Sequence, residues 1–346
     1  MTIWLVELES IPTRYGLQWS KWFSLELQKI KIIYKVITAP TLINEIKVGS
    51  VLDANGTCYY KAIQLATIAQ QFHNGNIKDG DVFLLMDGWY PGIEMIKYMA
   101  DLNNIKVKVY AIFHAGTYDE NDFTVRAGMD WAKQLEEHWF YEFYDGIFVA
   151  TNYHKKLIIE NRICKAEKIH VTGLPMYPND WQTEKRQKMM VHKEDIVVFP
   201  HRTDIEKSPN SFKALEREIK IKYPNYQFRL PIDEKLSKEE YYDLLARSKF
   251  IFSDSLQETW GIGTLEAVSL GCVPLLPNRL SYTEIYPKEF LFDSLVEATL
   301  KLEDWIKEDK NNSMFLFNLS KQVITIPYQY ERAISNMVKI IQKEAK

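Results

Sequence analysis

Strand-length apolar runs alternate with longer segments of helical periodicity along most of this chain, and this alternation is the feature that most constrains its fold. In the first half, apolar runs of strand length span residues 3–7, 81–86, 105–113 and 146–150. Between them, residues 59–73, 92–102 and 129–143 repeat apolar side chains at spacings of three and four, as amphipathic helices do. Strands joined by helices run parallel in one sheet, so the sequence predicts an α/β fold.

The alternation of strand and helix patterns stops after Pro175 and then resumes. Residues 176–195, MYPNDWQTEKRQKMMVHKED, are polar and show no strand pattern, so we interpret them as a connection between domains. A second series follows, with strands at 196–200, 226–230 and 250–252 and helices at 211–222, 238–248 and from about 263. Ser237 and Glu240 have the spacing of a capping box. Two α/β domains are therefore predicted, with a cleft at the carboxyl ends of their sheets.

Composition excludes several classes of protein and selects none. The 346 residues, 46% of them hydrophobic and 26% charged, have the balance of a folded, enzyme-sized protein. A net charge of −3 gives no overall attraction to nucleic acid or to an anionic membrane. Three dispersed cysteines, Cys58, Cys164 and Cys272, favour neither disulfides nor a zinc site, and no apolar run is long enough to cross a membrane. We expect a cytoplasmic protein without a membrane span.

Two glutamates flank a glycine-containing turn in the stretch SDSLQETWGIGTLEAV. A helix that begins just after Gly261 would offer the free N–H groups of its first turn, and its dipole, to a phosphate. Gly261 and Gly263 would allow a ligand to approach the backbone closely. Glu266, expected in the first turn, could hold the two hydroxyls of a ribose, and Glu258 would face the same cleft. A glutamate near a helix start is also stabilising without a ligand, which is the alternative interpretation.

A loop with two cations, in the stretch VVFPHRTDIEKSP, follows an earlier strand of the same domain. Arg202 can fork onto phosphate oxygens, and Lys207 can act as a point charge. Both would oppose the negative charge that grows on a diphosphate as its bond to a sugar breaks. The alternative is a solvated loop in which these cations pair with Asp204 or Glu206. Taken together, the two stretches favour a nucleotide-sugar site.

The segment QETWGIGTLEAVSLGCVPLLPNR resembles the donor-binding segment of the retaining GT-B glycosyltransferases of family 4. The order of Arg202, Lys207, Glu258 and Glu266 along the chain also matches that family. The resemblance implies that the two cations bind the diphosphate, that Glu266 binds the ribose and that Glu258 binds the transferred sugar. It further assigns to the donor site the residues around the helix start, Gly261, Gly263, Thr264 and Leu265.

The resemblance is specific over residues 195–287 and implies a fold for the whole chain. That fold has two Rossmann-like domains facing each other across a cleft, with a C-terminal helix that crosses back to the first domain. The acceptor-side domain would comprise residues 1–175 and 330–346, and the nucleotide-sugar-binding domain residues 176–329. Hinge closure over the donor would be the expected motion.

In the first domain, the resemblance implies a histidine near the transferred sugar, and His114 stands at the corresponding strand end. A hydrogen-bonded structural histidine is the alternative. Asp87, at another strand end, would bind an acceptor hydroxyl or cap the helix after Pro91.

The first loop of the chain departs from the family's glycine-rich pattern, because it contains a single glycine, Gly16. We assign Gly16 to the donor site. The bulky residues of this loop suit stacking on a planar acceptor. They are Arg14, Tyr15 and Trp19, although Trp19 and Trp22 at helical spacing could instead be core.

The same resemblance implies transfer from a UDP-sugar with retention at the anomeric carbon. No obligatory cofactor or metal is expected. Asp79 and Asp81 look like a metal-binding pair, but they precede their strand and would lie at the wrong end of the sheet.

Narrower resemblances concern the acceptor. PHRTDIEKSP and PNRLSYTEIYPKEFLF are similar to a branch that includes a tRNA-queuosine mannosyltransferase, and VELESIPTRY is similar to phage glycosyltransferases that modify hydroxymethylated DNA bases. Between residues 152 and 193, nine Lys or Arg outnumber four Asp or Glu, which would track a phosphate backbone or merely cover solvated helix faces. We expect a hydroxymethylated base such as 5-hydroxymethylcytosine in phage DNA as the acceptor. The alternatives are tRNA queuosine, a polysaccharide or lipid, and a nucleotide-sugar-binding module without catalysis.

Overall fold

The computed structural model describes residues 1–9, 11, 15–42 and 54–344, and its internal contacts divide the chain into two compact units. Unit 1 consists of Met1–Pro175 and Arg332–Lys346, and unit 2 of Met176–Glu331. Each unit is built on one sheet whose neighbouring strands all pair in parallel within the described residues. The predicted α/β fold class is therefore confirmed.

The sheet of unit 1 has the strand order β2-β1-β3-β4-β5-β6. Its strands are β1 Ile3–Val6, β2 Tyr34–Ile37, β3 Val82–Leu85, β4 Lys108–Ile112, β5 Gly146–Val149 and β6 Ile169–Val171. The helices that precede unit 2 are α1 Tyr15–Lys29, α2 Ala54–His73, α3 Met95–Leu102, α4 Phe123–Arg126, α5 Ala132–His138, which continues as a π-helical turn Trp139–Phe143, and α6 Asn152–Asn161. Every residue of β1, β3 and β5 is buried, as expected for parallel strands covered on both faces.

The sheet of unit 2 has the strand order β11-β10-β9-β7-β8. Its strands are β7 Glu194–Val198, β8 Gln227–Arg229, β9 Ser248–Phe252, β10 Val273–Pro277 and β11 Leu291–Phe292. Its helices are α7 Glu184–Val191, α8 Pro209–Lys222, α9 Lys238–Arg247, α10 Ile262–Ser269, α11 Tyr282–Ile285, α12 Leu295–Asn311 and α13 Phe315–Lys321. Because β7 and β9 are neighbours, the loops that follow these two strands begin side by side.

The start of α9 has the capping box that the sequence predicts. The Glu240 N–H donates to Ser237 Oγ at 3.3 Å, and the Ser237 N–H donates to the Glu240 carboxylate at 2.8 Å. Both bonds are made within three residues, so the short-range pattern is sufficient to predict them.

The interpretation of residues 176–195 as a connection between domains was wrong. Helix α7 lies in this stretch and packs on α9. Arg186, only 3% exposed, donates to Asp243, to Glu239 and to the carbonyl of Trp181. A helix held by a buried arginine rather than by an apolar stripe lacks the periodicity that would have revealed it.

The last helix, α14 Ala333–Glu344, belongs to unit 1 and packs on α1. Ile334, Met337 and Ile341 form its buried face. Near its end, Tyr110 OH donates to the Glu344 carboxylate at 3.1 Å. The apolar spacing of the C-terminal sequence thus corresponds to a face that is buried in unit 1.

Candidate functional site

Two loops at the carboxyl edge of the unit 2 sheet are tied together by hydrogen bonds. They are residues 199–208 after β7 and residues 253–261 after β9. The Leu256 N–H donates to the Glu206 carbonyl at 2.7 Å, and His201 Nε2 lies 2.8 Å from Ser253 Oγ. These bonds hold the cations of the first loop beside the carboxylates and the helix start of the second.

Helix α10 begins at Ile262, one residue before the start at about Gly263 that the strand and helix pattern predicts, and Gly261 is its N-cap in the left-handed conformation, with φ at +83°. Glu258 Oε1 accepts the N–H groups of Gly261 at 2.8 Å and of Trp260 at 3.3 Å. The first intrahelical bond runs from the Leu265 N–H to the Gly261 carbonyl. The three N–H groups before it therefore have no acceptor within the helix, as at any helix start.

Lys207 and Glu258 form a largely buried ion pair between the two loops. Lys207 is 7% exposed, its Nζ lies 3.4 Å from Glu258 Oε2, and it also donates to the carbonyl of Gln257. Burial by itself would raise the pKa of Glu258, but Lys207, His201 and the backbone N–H donors outweigh it and lower that pKa below its ordinary value. Glu258 is therefore a carboxylate at neutral pH, able to accept hydrogen bonds from hydroxyl groups.

Arg202 is paired with both acidic residues of its own loop. Its Nη1 lies 2.7 Å from Asp204 Oδ2 and its Nη2 lies 3.3 Å from Glu206 Oε1. The sequence left open that Arg202 pairs with Asp204 or Glu206 in a solvated loop. The pairing is present, but the loop is not solvated, because Asp204 and Glu206 are 7% and 3% exposed. The Arg202 side chain is 28% exposed, so these contacts do not enclose it completely.

Glu266 lies in the second turn of α10, not in the first turn where it was expected. It is the fifth residue of the helix, and it is 3% exposed. Its Oε1 accepts hydrogen bonds from Lys238 Nζ at 2.7 Å and from Tyr242 OH at 2.8 Å, both on α9. Glu266 thus joins two helices through Oε1, and its role with a ribose stays a prediction.

Gly263 has a packing role that the sequence did not indicate. A Cβ atom at this position would lie 2.7 Å from the carbonyl oxygen of Pro200 in the loop after β7. The glycine was expected to admit a ligand. It also lets the start of α10 approach the neighbouring loop, and its role with a ligand stays a prediction.

His201 is a member of the site that the sequence interpretation missed. Burial, reinforced by the charges of Lys207 and Arg202, lowers the pKa of His201 to about 3, so its ring is neutral. Its partner Ser253 also contacts Ser255 Oγ at 3.0 Å and Tyr282 OH at 2.9 Å. A signal was present, because His201 and Ser253 each follow one of two strands that a parallel sheet could place side by side.

In unit 1, the ring of His114 is held by hydrogen bonds within that unit. Its Nε2 donates to the Met86 carbonyl at 2.8 Å, and its Nδ1 lies 3.4 Å from Tyr15 OH. The ring of Trp19 is 5.2 Å away. This arrangement corresponds to the structural alternative that the sequence left open for His114.

The aromatic residues near the first loop divide between core and surface. Trp19 is 1% exposed on the buried face of α1, so its assignment to acceptor stacking is corrected to a core position, and Trp22 at 4% is also core. Tyr15 is half-buried, and Arg14 lies outside the described residues. A Cβ at Gly16 would lie 3.0 Å from the Glu9 carbonyl, so close packing of α1 explains this glycine, and its role with a donor stays a prediction.

Asp87 caps a turn rather than a helix. Its Oδ1 accepts the Trp89 N–H at 3.1 Å, and its Oδ2 lies 2.7 Å from Lys61 Nζ. Helix α3 starts only at Met95, which rules out Asp87 as its cap. Burial opposes ionisation of Asp87, but Lys61 and His114 lower its pKa below the ordinary value.

Some of the Lys and Arg residues counted between positions 152 and 193 make contacts inside the protein. Arg162 pairs with the buried Glu136 at 2.8 Å, and Arg186 is buried as described above. Lys193 donates to the carbonyls of Leu270 and Leu245. Arg186 is buried, and Arg162 and Lys193 are half-buried and already hold internal partners, so the excess is weaker support for nucleic-acid binding than the sequence count suggests.

Two kinds of feature are absent from the described ranges. No group of three or more His, Cys, Asp or Glu side chains is arranged to hold a metal ion there. No helix among those residues combines the length and apolar character needed to cross a membrane.

Comparisons with known proteins place the fold in a class. No protein-family model matches the chain. It is 28% identical over 140 residues to the tRNA-queuosine alpha-mannosyltransferase of Drosophila melanogaster, covering 38% of this chain and 35% of that protein. It is 30% identical over 151 residues to putative glycosyltransferase 41 of Sulfolobus islandicus filamentous virus (isolate Iceland/Hveragerdi), covering 41% of this chain and 42% of that protein. The chain thus matches less than half the length of these curated relatives.

A solved structure of sucrose-phosphate synthase from Thermosynechococcus elongatus matches with a TM-score of 0.69 over 99% of this chain and 98% of that one, at 12% identity. At this identity the likeness concerns the fold alone. The chain has the α/β architecture with two parallel sheets found in GT-B glycosyltransferase structures.

Proposed function

We propose that this protein is a glycosyltransferase that uses a nucleotide-diphosphate sugar as its donor. The observation that carries the proposal is the joining of the loops after β7 and β9, which brings Arg202, Lys207 and Glu258 to the start of α10. The carboxyl edge of a parallel sheet is where such folds bind their ligands. The similarity to two curated glycosyltransferases over part of their length supports the same conclusion.

In this proposal unit 2 holds the donor, a UDP-sugar. Arg202 and the free N–H groups at the start of α10 bind the diphosphate, with Arg202 exchanging part of its contact with Asp204 and Glu206 for phosphate oxygens. Glu258 accepts hydrogen bonds from the hydroxyls of the sugar, and Lys207 keeps it ionised and fixed in position. Unit 1 provides the acceptor side.

The proposed reaction retains the configuration of the anomeric carbon. The bond between that carbon and the phosphate oxygen breaks, and a bond to the acceptor oxygen forms on the same face. The acceptor's proton passes to the departing diphosphate. Negative charge grows on the diphosphate during this step, so Arg202 and the dipole of α10 stabilise the transition state more than the bound donor.

The proposed acceptor is a hydroxyl on a modified nucleobase. A hydroxymethylated base in DNA is the acceptor that the sequence resemblance implies. The second candidate is queuosine in tRNA, favoured by the printed activity of the Drosophila relative. Both would require the base to leave its stack to reach the sugar.

The test is to incubate the protein with UDP-, GDP- and ADP-sugars and with either 5-hydroxymethylcytosine DNA or queuosine tRNA. Release of nucleoside diphosphate and the mass of the acceptor are followed together, and NMR of the product determines its anomeric configuration. A gain of one sugar on either nucleic acid, with the donor's configuration, is expected. An inverted product would overturn retention. If no acceptor gained mass and no donor were hydrolysed, the chain would be a binding module rather than an enzyme.

A further inference from the structure

His201 lies at the carboxyl edge of the unit 2 sheet, among the groups that make up the candidate donor site. It follows Pro200, whose carbonyl oxygen would lie 2.7 Å from a Cβ atom at Gly263, so His201 stands beside the start of α10. Arg202 follows it directly in the chain, and Glu258 is close enough for its charge to act on the ring. The ring therefore borders the place where the proposed function puts the diphosphate.

One nitrogen of the His201 ring is held inside the protein. Nε2 lies 2.8 Å from Ser253 Oγ in the loop after β9, and the ring packs edge-on against Phe199 with the centroids 5.2 Å apart. Ser253 and Phe199 are both fully buried. These two contacts hold the ring in one orientation, so a ligand that meets it does not have to immobilise a free side chain.

The other ring nitrogen is open to a ligand. Nδ1 makes no hydrogen bond to any residue that the structure describes, and it is not one of the buried polar atoms that lack a partner there. His201 as a whole is half-buried. Nδ1 is thus the polar atom of the ring that a molecule at this edge can reach.

The hydroxyl groups around Ser253 favour a proton on Nδ1. Ser253 Oγ has two lone pairs and one proton. Its lone pairs accept the Ser255 N–H at 3.4 Å and the Tyr282 OH at 2.9 Å, which leaves its own proton for Nε2 of His201. Burial raises the pKa of Tyr282, so this residue stays a phenol with a proton to donate. Because Nε2 is then an acceptor, the proton of the neutral ring is on Nδ1.

A neutral N–H offers a phosphate something that the cations of this edge do not. Both cations are already paired with carboxylates, in the pairs Arg202–Glu206 and Lys207–Glu258. A phosphate competes with those carboxylates for the two cations, but it has no such competitor at Nδ1 of His201 among the described residues. The pKa of His201 is lowered to about 3, so the ring adds no charge that would repel either cation.

We propose that His201 binds the diphosphate of the donor, with its Nδ1–H donating to a phosphate oxygen while Nε2 accepts from Ser253. The proposal rests on the proposed function, because it adds a residue to that donor site. The bond becomes stronger as negative charge collects on the departing diphosphate, so His201 stabilises the leaving group as well as the bound donor.

Two amide variants separate the roles of the two ring nitrogens. The amide nitrogen of His201→Asn can take the place of Nδ1, and that of His201→Gln the place of Nε2. We expect His201→Asn to keep close to the wild-type affinity for UDP, and His201→Gln and His201→Phe to lose roughly 20-fold, because a hydrogen bond to a charged group is removed. Calorimetric titration measures these affinities. His192→Asn, at an exposed histidine of unit 2, is the control and should bind UDP as wild type does. Equal affinities in the Asn and Gln variants would contradict the role of Nδ1.

Nitrogen-15 NMR of the histidine rings tests the same contact in the wild-type chain, so it does not depend on how well a variant folds. The signals of His201 are those that the His201→Asn spectrum lacks. We expect the free protein to carry the proton on Nδ1, and the Nδ1 signal to move when UDP or inorganic diphosphate is added. If Ser253 donated instead to Ser255 Oγ, 3.0 Å away, the proton would be on Nε2. That result, or an Nδ1 signal that stays in place while UDP binds, would overturn the proposal.

The same measurements separate this proposal from the proposed function. If a nucleotide-sugar is bound and transferred while the His201 signals stay in place, the glycosyltransferase stands and the role of His201 fails. If inorganic diphosphate moves the Nδ1 signal and no nucleotide-sugar is bound or hydrolysed, His201 is an anion ligand and the glycosyltransferase proposal fails. If neither UDP nor inorganic diphosphate binds, both fail.

Discussion

The carboxyl edges of the two sheets share a backbone plan and differ in charge. In unit 2 each cation at the edge faces a carboxylate, in the pairs Arg202–Glu206, Lys207–Glu258 and Lys238–Glu266. In unit 1 two carboxylates meet hydroxyls, and the single ammonium, Lys61, is bound to Asp87. Parallel strands determine that loops converge at one edge, and the side chains of those loops determine which sign of charge the edge accepts.

The largest expected effect is on transfer in the Glu258→Gln variant. An amide keeps the shape of the side chain but removes the charge that holds sugar hydroxyls and faces Lys207. We expect kcat/KM to fall roughly 10³-fold, the scale measured when a preorganised polar group is removed from an active site. Release of nucleoside diphosphate is the readout. Glu289→Gln, an exposed glutamate of unit 2, is the control and should retain full activity. If kcat/KM of the Glu258→Gln variant stayed within tenfold of wild type, the carboxyl edge of unit 2 would not be part of the active site.

Replacing Arg202 by Gln sharpens the contrast between the two edges. The affinity for UDP is expected to fall about 30-fold, about 2 kcal/mol, because a charge-assisted contact to phosphate is lost. Lys61→Gln, which removes the cation of the other edge, should leave the UDP affinity unchanged. Calorimetric titration of both variants measures this. Equal losses in the two variants would mean that UDP binding is not confined to the edge of unit 2.

Gly263→Ala tests whether the close approach of α10 to the neighbouring loop holds the unit 2 edge together. The new methyl would lie 2.7 Å from the backbone oxygen of Pro200, and overpacking of this kind costs about 2 kcal/mol. Gly80→Ala in unit 1 is the matched control, because Gly80 has φ at +79° and open space around it, and it should lose only about 1 kcal/mol. Denaturant unfolding measures both. The idea fails if the two variants lose the same free energy.

The stability of each unit should depend on pH, because each contains a histidine whose pKa is strongly lowered. The pKa values of His201 in unit 2 and of His154 in unit 1 are both lowered to about 3, in each case first by burial. The unfolded chain therefore binds more protons than the folded one between about pH 6.5 and pH 3, so stability falls as the pH falls.

Each histidine contributes a slope of about 1.4 kcal/mol per pH unit over that window. The free energy of unfolding is measured from pH 6.5 to pH 5 in wild type, His201→Gln and His154→Gln. In each variant, the dependence on pH should lack the contribution of the histidine that was replaced. An unchanged slope in either variant would mean that its histidine is protonated in the folded protein.

Local patterns were enough to predict much of the secondary structure. The start of α10 after Gly261 and the capping box of α9 depend on residues a few positions apart, and both are confirmed. Strand β6, three residues long, was not predicted because so short a run carries no period. Helix α7 was missed because its buried contact is made by Arg186, a residue whose type indicates a surface position.

The candidate site was predictable in its residue types and not in its contacts. Arg202, Lys207 and Glu258 stand in loops after strand ends in the sequence, and the structure pairs Arg202 with the acidic residues of its own loop and Lys207 with Glu258. His201 was overlooked because its position after a strand does not by itself specify that its ring meets Ser253, 52 residues later.

By itself, the sequence determined the alternation that makes two parallel sheets, the ends of the strands and the kinds of side chain at those ends. The tertiary structure alone decided that Glu266 accepts a hydrogen bond from Lys238, that Trp19 is core, and that Glu7 and Glu9 line a pocket. The physical reason is the separation along the chain over which each kind of interaction acts. Periodicity and capping act over a few residues and are written in the order of the chain, whereas burial and the partner of a charge depend on groups that meet only after folding.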